Sequence, residues 1–256
     1  MIKNMMRITN LFLIFGLLTT SAWAKDYKLT TGDDQPPYTG RDLPHRGMLT
    51  EIIEVVFKEM GDNCTIEFLP WKRGYDGVKR GLYSGTFPYI KNDERLKDFY
   101  YSDPIYNGKV QIFVRKESQL GYRSEGDLKG LTICLPLGYS VNKTILPLLK
   151  HKEIHQINPK TMESCFKLIE LDRADFIVTN EIQAKYTLQK ISGLKKIKKL
   201  GKTLDEFNYH FIVSKANPDG ANLILAFNQA LNRVKEKGLF DEIIQRHFSL
   251  LDNQFH

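Results

Sequence analysis

The stretch TFPYIKNDERLKDFYYSDPIY, residues 86–106, sets Arg95 in a short charged turn between an apolar segment and an aromatic-rich one. An arginine offers a planar fork of donors that matches a carboxylate, and its charge persists at any physiological pH. Standing alone, such a residue is either solvated decoration or an anion contact. Trp71, in PWKRGYDG, leaves a similar choice. Its ring face can cover an apolar group or attract a cation, and it can equally staple a strand to a helix inside a core. Arg73 follows two residues later and either reaches the same place or faces water. Tyr38, in QPPY, is an aromatic wall or a packed turn residue.

Reaction chemistry has little support. The chain contains no GxSxG, no HExxH and no glycine loop that could cradle phosphate. His151 and His155 stand four residues apart in HKEIHQ, but two histidines without a third ligand read as a solvated helix face or loop. Glu181 could act as a general acid only if burial raised its pKa. The sequence therefore calls for neither a catalytic residue, nor a metal, nor a cofactor.

The N-terminus orders charge, apolar run and small residues as a Sec-type leader does. Lys3 and Arg7 precede an apolar run over residues 11–18, and Ala22 and Ala24 form an A-x-A site, which predicts cleavage after Ala24. No later segment approaches the roughly 20 apolar residues of a membrane helix. The mature chain is thus expected to be exported. Its formal net charge of +7 falls by two when Lys3 and Arg7 leave. An exported protein seldom meets nucleic acid, so KISGLKKIKKLGK, residues 190–202, reads as a solvated face around a short strand. The N-x-T triplets at Asn63 and Asn142 matter only in a eukaryotic secretory route.

Three cysteines, Cys64, Cys134 and Cys165, are too few for a disulfide scaffold and lack CxxC spacing. Cys134 falls in a predicted strand, LTICL, and Cys165 in a predicted helix, TMESCFKLIEL, that would pack on it. That pair is favoured for a bridge, which in the chain-entropy model contributes about 3 kcal/mol. Three unpaired thiols are the alternative.

Around these residues helical and strand patterns alternate without repeats. GMLTEIIEVVFKEMG places Leu49, Ile52, Ile53, Val56 and Met60 on one helical face, with Gly61 as its C-terminal cap. TIEFLP reads as a strand, and a short helix follows between Trp71 and Gly81. Residues 110–114, 131–135, 175–179 and 209–213 read as buried strands, and residues 217–248 as two helices split at Gly238. Such alternation predicts α/β sheets under helical cover. No long linker separates domains, so any division must be made by strands that cross between lobes.

Taken in order, TTGDDQPPYTG, GMLTEIIEVVFKEMG, GLYSGTFPYIKNDERLKDFYYSDPIY, DLKGLTICLPLGYS, LIELDRADFIVTN and ALNRVKEKGLFDEIIQRHF resemble the family 3 extracellular solute-binding proteins, the periplasmic receptors of polar amino-acid ABC importers. The resemblance spans nearly the whole mature chain. It implies a type II periplasmic-binding-protein fold, with two α/β lobes joined by two crossing hinge strands. Residues 25–108 and 210–256 would form lobe 1 and residues 109–209 lobe 2, with hinges near 107–110 and 207–210. A small carboxylate-bearing ligand would be held between the lobes by hinge closure.

On this pattern Arg95 grips the ligand's carboxylate and Trp71 places its ring against the ligand. Tyr38 adds a second aromatic wall, and Arg73, Tyr89 and Asn92 line the same side. In lobe 2, Gly138, Tyr139 and Ser140 sit where a strand turns into a helix and could offer backbone N–H groups. The family's ammonium-binding aspartate falls at Asn180. Two departures follow: Pro88, Tyr89 and Ile90 make the pocket bulkier and less polar than usual, and Asn180 brings no charge. The implied protein is a monomeric, cofactor-free periplasmic receptor whose partner is an inner-membrane ABC permease. A dehydratase-like enzyme and an orphan sensory subunit are the alternatives on the same fold.

Overall fold

The computed structural model describes residues 24–33, 35–137, 139, 141–191 and 196–253. Apart from Ala24, the predicted leader lies outside the described residues. In chain order the elements are β1 (Asp26–Thr31), α1 (Met48–Met60), β2 (Asn63–Phe68), α2 (Trp71–Lys79), β3 (Gly85–Tyr89), α3 (Asp93–Asp98), β4 (Phe99–Tyr101) and β5 (Tyr106–Arg115). There follow β6 (Thr132–Cys134), α4 (Ile145–Lys150), β7 (His155–Ile157), α5 (Met162–Glu170), β8 (Phe176–Asn180), α6 (Glu181–Lys190) and β9 (Ile197–Lys199). The chain closes with β10 (Asp205–Ser214), α7 (Gly220–Glu236) and α8 (Leu239–Asn253).

The predicted helix boundaries rest on left-handed glycines. Gly61, at φ 81°, ends α1, and its N–H returns to the Lys58 carbonyl. Gly238, at φ 74°, separates α7 from α8. Both conformations are open to glycine without steric cost.

One strand organises the sheets. The strand order is β2-β1-β3-β10-β5-β8-β6-β7, with β4 also on β10 and β9 also on β5. The first half of β10 pairs antiparallel with β5, Asn208 opposite Asn107 and Tyr209 opposite Tyr106. Its second half pairs with β3 and β4, His210 opposite Tyr89 and Ile212 opposite Tyr101. The burial pattern changes at the same point: Asp205 to Asn208 alternate between half-buried and exposed, whereas Tyr209 to Ser214 are all buried. A strand with one wet face thus becomes a strand covered on both faces. Where β5 and β10 cross, Asn107 Nδ2 donates to Asn208 Oδ1 at 2.7 Å. Gly108 keeps the crossing close, because a Cβ there would stand 2.1 Å from the Phe207 ring.

Three cores flank this crossing, and a smaller cluster lies beside the site described below. Leu29, Ile52, Phe57, Phe87, Phe211 and Phe227 anchor the core shared by α1, α7, β1, β3 and β10. Beyond the crossing, the sheet of β5, β8 and β6 has a core on each face, one around Ile112, Leu128, Ile133 and Phe176, the other around Phe113, Cys165, Phe166 and Ile177. In the second of these Cys134 and Cys165 are joined, the favoured pair, and Cys64 remains a free thiol whose pKa burial pushes up to about 11. Helix α6 touches both sides: Ile182 and Tyr186 pack into the first core, Ala184 and Leu188 into the one around Cys165.

His151 and His155 do not share a helix face. His151 caps the C-terminus of α4, and His155 opens β7. The lysines of residues 196–202 lie on and after the edge strand β9, where Lys198 donates to the Ser118 carbonyl and Lys199 pairs with Glu181. Charge on an edge strand discourages pairing with another chain.

Two buried histidines give the fold a pH dependence. His210 Nδ1 donates to the Ser102 carbonyl oxygen at 2.7 Å, and His247 Nε2 lies 2.7 Å from Glu51 Oε2. Burial is the leading cause that lowers both imidazole pKa values below the ordinary 6.5. The unfolded chain therefore binds more protons near that pH, and stability must fall as pH drops through it. We expect the thermal midpoint to decline between pH 7.5 and about pH 5.5, and the decline to shrink in a His210→Gln, His247→Gln variant. A midpoint that rises on acidification contradicts the assignment.

Candidate functional site

The parallel strands of both halves end at the crossing. Tyr89, the last residue of β3, lies opposite His210, and Asn180, the last of β8, lies opposite Val110. The loops after β1, β2, β3, β6 and β8 consequently gather along one seam. In open α/β sheets the crevice outside the carboxyl ends of the strands is where ligands bind.

One wall is aromatic and basic. Trp71 opens α2, and its indole lies directly on the backbone after β1: a Cβ at Gly32 would come within 2.1 Å of the ring. Trp71 meets Tyr89 edge-on at 5.9 Å, and Tyr75 packs against both Tyr89 and Phe99. Burial pushes the Tyr89 phenol up to about 12.

Arg95 sits over this cluster, its guanidinium 5.1 Å from the Tyr89 ring centre. Two further contacts fix it. Asn92 caps α3 by accepting the Arg95 backbone N–H at 2.8 Å, and Arg95 Nη1 donates to the Ile90 carbonyl at 3.1 Å. Among the described residues no carboxylate forms an ion pair with Arg95, so most of its donor fork is free to face the seam. Lys91 adds a second cation, 5.7 Å over the Tyr101 ring. Arg73 is exposed, and its charge acts on Tyr83, whose hydroxyl bonds Glu67.

The seam itself corrects several expectations. Tyr38 is fully buried and forms no wall, because its ring packs between Tyr106 and Tyr209 of the crossing strands. Its hydroxyl donates to Asn180 Oδ1 at 2.7 Å. Asn180 also caps α6, the same Oδ1 accepting the Gln183 N–H at 2.9 Å. The Asn180 oxygen is thus already engaged twice inside the protein. Glu181 is exposed and paired with Lys199 at 2.8 Å, not buried as a general acid would need.

In the other half β6 does not run directly into a helix among the described residues. Helix α4 begins only at Ile145, and the Tyr139 N–H closes a turn onto the Pro136 carbonyl. Pro147 in the first turn of α4 lacks an N–H and suits a helix start nearby. Gly138 and Ser140 lie outside the described residues. The Tyr139 side chain does reach the seam, its hydroxyl 3.2 Å from Gln183 Nε2.

Gln35 and Gln183 were missed by the sequence reading. Gln35 Nε2 donates to the Tyr209 hydroxyl at 2.6 Å, and Gln183 bonds Thr179, Asn180 and Tyr139. The signal for Gln183 was present: an Asn followed three residues later by Gln has the spacing of a capping box. Nothing in the sequence marked Gln35.

With this geometry in view, the family model of the bacterial extracellular solute-binding proteins, family 3, matches residues 27–250. No curated relative matches the sequence. Among solved structures, the chain resembles the second substrate binding domain of a putative amino acid ABC transporter from Streptococcus pneumoniae, at a TM-score of 0.67 and 21% identity over 86% of this chain and 99% of that one. It also resembles the second substrate binding domain of Lactococcus lactis GlnP in open conformation (0.64, 20%, 87% and 94%). A histidine kinase sensor domain with similarity to periplasmic binding proteins is similar too (0.69, 17%, 86% and 95%). These likenesses show the fold, the two-lobed type II periplasmic-binding architecture with β5 and β10 as its crossing strands.

The contact between Trp71 and Gly32 is testable. Gly32→Ala must displace the indole from the strand end, because the ring atoms have no room for a methyl group. We expect the variant to fold with a thermal midpoint lowered by a few degrees and to bind whatever ligand the wild type binds at least about tenfold more weakly. Unchanged affinity by calorimetry would show that Trp71 does not contact the ligand.

Proposed function

This chain belongs to the bacterial extracellular solute-binding proteins of family 3, and from that premise we propose that it is an exported receptor that captures a small carboxylate between its lobes and delivers it to an ABC importer. Residues 1–24 act as its leader, the periplasm is its compartment, and it works as a monomer that binds its ligand without converting it. Lobe 1 comprises residues 25–108 and 210–256, and lobe 2 residues 109–209, with α6 leaning on both. The observation that carries the reading is Arg95: a cation held by a ring, a carbonyl and a helix cap just after β3, in no ion pair with an acid among the described residues. Held in this way, an arginine loses little freedom when it binds a carboxylate.

Replacing Arg95 by Ala is expected to weaken carboxylate binding by about a hundredfold or more, the scale of charge-assisted hydrogen bonds. Folding should be nearly intact, since Arg95 belongs to no core. The wild-type ligand should also compact the protein in solution scattering, as closure requires. Normal binding by Arg95→Ala, or an unchanged scattering profile with a tight ligand, counts against the proposal.

Asn180 yields a second expectation. Both hydrogen bonds that it accepts enter at Oδ1, so Asn180→Asp preserves the tie to Tyr38 and the cap of α6 while turning Nδ2 into a second carboxylate oxygen. Wild type should bind ordinary α-amino acids poorly, because their ammonium loses hydration without meeting a counter-charge at this strand end. Asn180→Asp should improve their affinity on the order of tenfold relative to the matched deaminated acids. Tight wild-type binding of an ordinary amino acid, retained in Glu181→Gln, would refute this part.

A further inference from the structure

The seam inverts the usual surface pattern. Its polar side chains are largely bonded to one another: Gln35 to Tyr209, Asn180 to Tyr38, Gln183 to Tyr139, and Asn142 to Asp205. Its apolar side chains are the ones left open to solvent. Ile90, immediately after β3, is 45% exposed, and Trp71 beside it is half-buried. In the loop after β6, Leu137 is 61% exposed and Tyr139 41% exposed. The loops after β3 and β6, whose strands end toward the same seam, thus each leave apolar side chains uncovered, and the first of them also carries Lys91 and Arg95. Apolar surface left uncovered where strand ends meet suits the binding of apolar matter.

We infer that the occupant of this cleft is a carboxylate with an apolar body of about the size of an aromatic ring, and not one with a polar side chain. This inference rests on the reading of the cleft as a carboxylate receptor and adds the chemistry of the remainder of the ligand. Arg95, positioned by the Ile90 carbonyl, takes the carboxylate, and the body lies between Trp71 and Ile90 on one side and Leu137 and Tyr139 on the other. A hydroxyl or amide on that body would give up water against the Trp71 ring face, Ile90 and Leu137, while the amides of Gln35, Asn180 and Gln183 already have partners. Closure then removes four apolar side chains and the ligand's body from water together.

The test is a calorimetric panel of 3-phenylpropanoate, hexanoate, succinate and glutamine against wild type, Arg95→Ala and an Ile90→Ser, Leu137→Ser double variant. Ile90 and Leu137 are exposed, so the double variant keeps its cores, and its thermal midpoint verifies that. The expected result is 3-phenylpropanoate binding at least about tenfold more tightly than succinate or glutamine, with that margin lost in the double variant and all carboxylate binding lost in Arg95→Ala. Arg95-dependent binding that favours succinate or glutamine, or that does not distinguish among the four, overturns this inference and leaves the carboxylate reading standing. Binding that survives Arg95→Ala, or no binding by any of the four, defeats the carboxylate reading and this inference with it.

Discussion

The double pairing of β10 is the constraint on which the rest of the structure depends. A single strand that bonds β5 with its first half and β3 with its second forces two sheets to share one line, and the carboxyl ends of β3 and β8 must meet there. Tyr89 and Asn180 are brought to the same seam by backbone hydrogen bonds, before any side-chain contact is considered. The packing of Gly108 against Phe207 and the Asn107–Asn208 bond keep the crossing compact. The position of the seam and the position of the crossing are thus one consequence of one pairing scheme.

Close to that line the two halves are tied by a bond that needs no ligand. Tyr38 belongs to the first core and Asn180 to the start of α6, yet the phenol and the amide oxygen meet while both residues are buried. A buried hydroxyl without a partner is costly, which holds Tyr38 in place as firmly as its ring packing does. Helix α6 extends the same theme. Its apolar residues point to opposite sides, Tyr186 into one core and Leu188 into another, so the helix has no single wet face and acts as a wedge between the sheets.

Much of this was legible in the sequence. The periodicity of residues 47–61, the glycines that end α1 and α7, the buried strands and the Cys134–Cys165 bridge follow from local pattern and are present. The α/β class followed from the alternation of patterns, and the two lobes with their crossing strands from the resemblance to family 3 solute-binding proteins. What local pattern could not carry was the direction of single side chains at the seam. Tyr38 and Asn180 sit in segments that point toward a ligand, and whether each faces outward or toward the other depends on a contact spanning 142 residues. The loop after Cys134 failed for a different reason. A strand followed by Gly and Ser resembles a helix start, but the helix waits until Ile145, and the described residues in between are not helical. The surroundings of Arg95, by contrast, are local: Ile90, Asn92 and Tyr89 all lie within six residues of it.

The placement of Trp71 has an optical consequence. The chain holds two tryptophans, Trp23 and Trp71, and removal of residues 1–24 leaves Trp71 alone. The remaining indole is half-buried at the end of β1, in edge contact with Tyr89, over whose ring the guanidinium of Arg95 sits. Tryptophan emission shifts to shorter wavelength when water leaves the ring, so, with the proposed leader removed, emission excited where only tryptophan absorbs would originate at the seam. Occupancy of the cleft can thus be followed without a label, and a change in emission cannot be attributed to another part of the molecule.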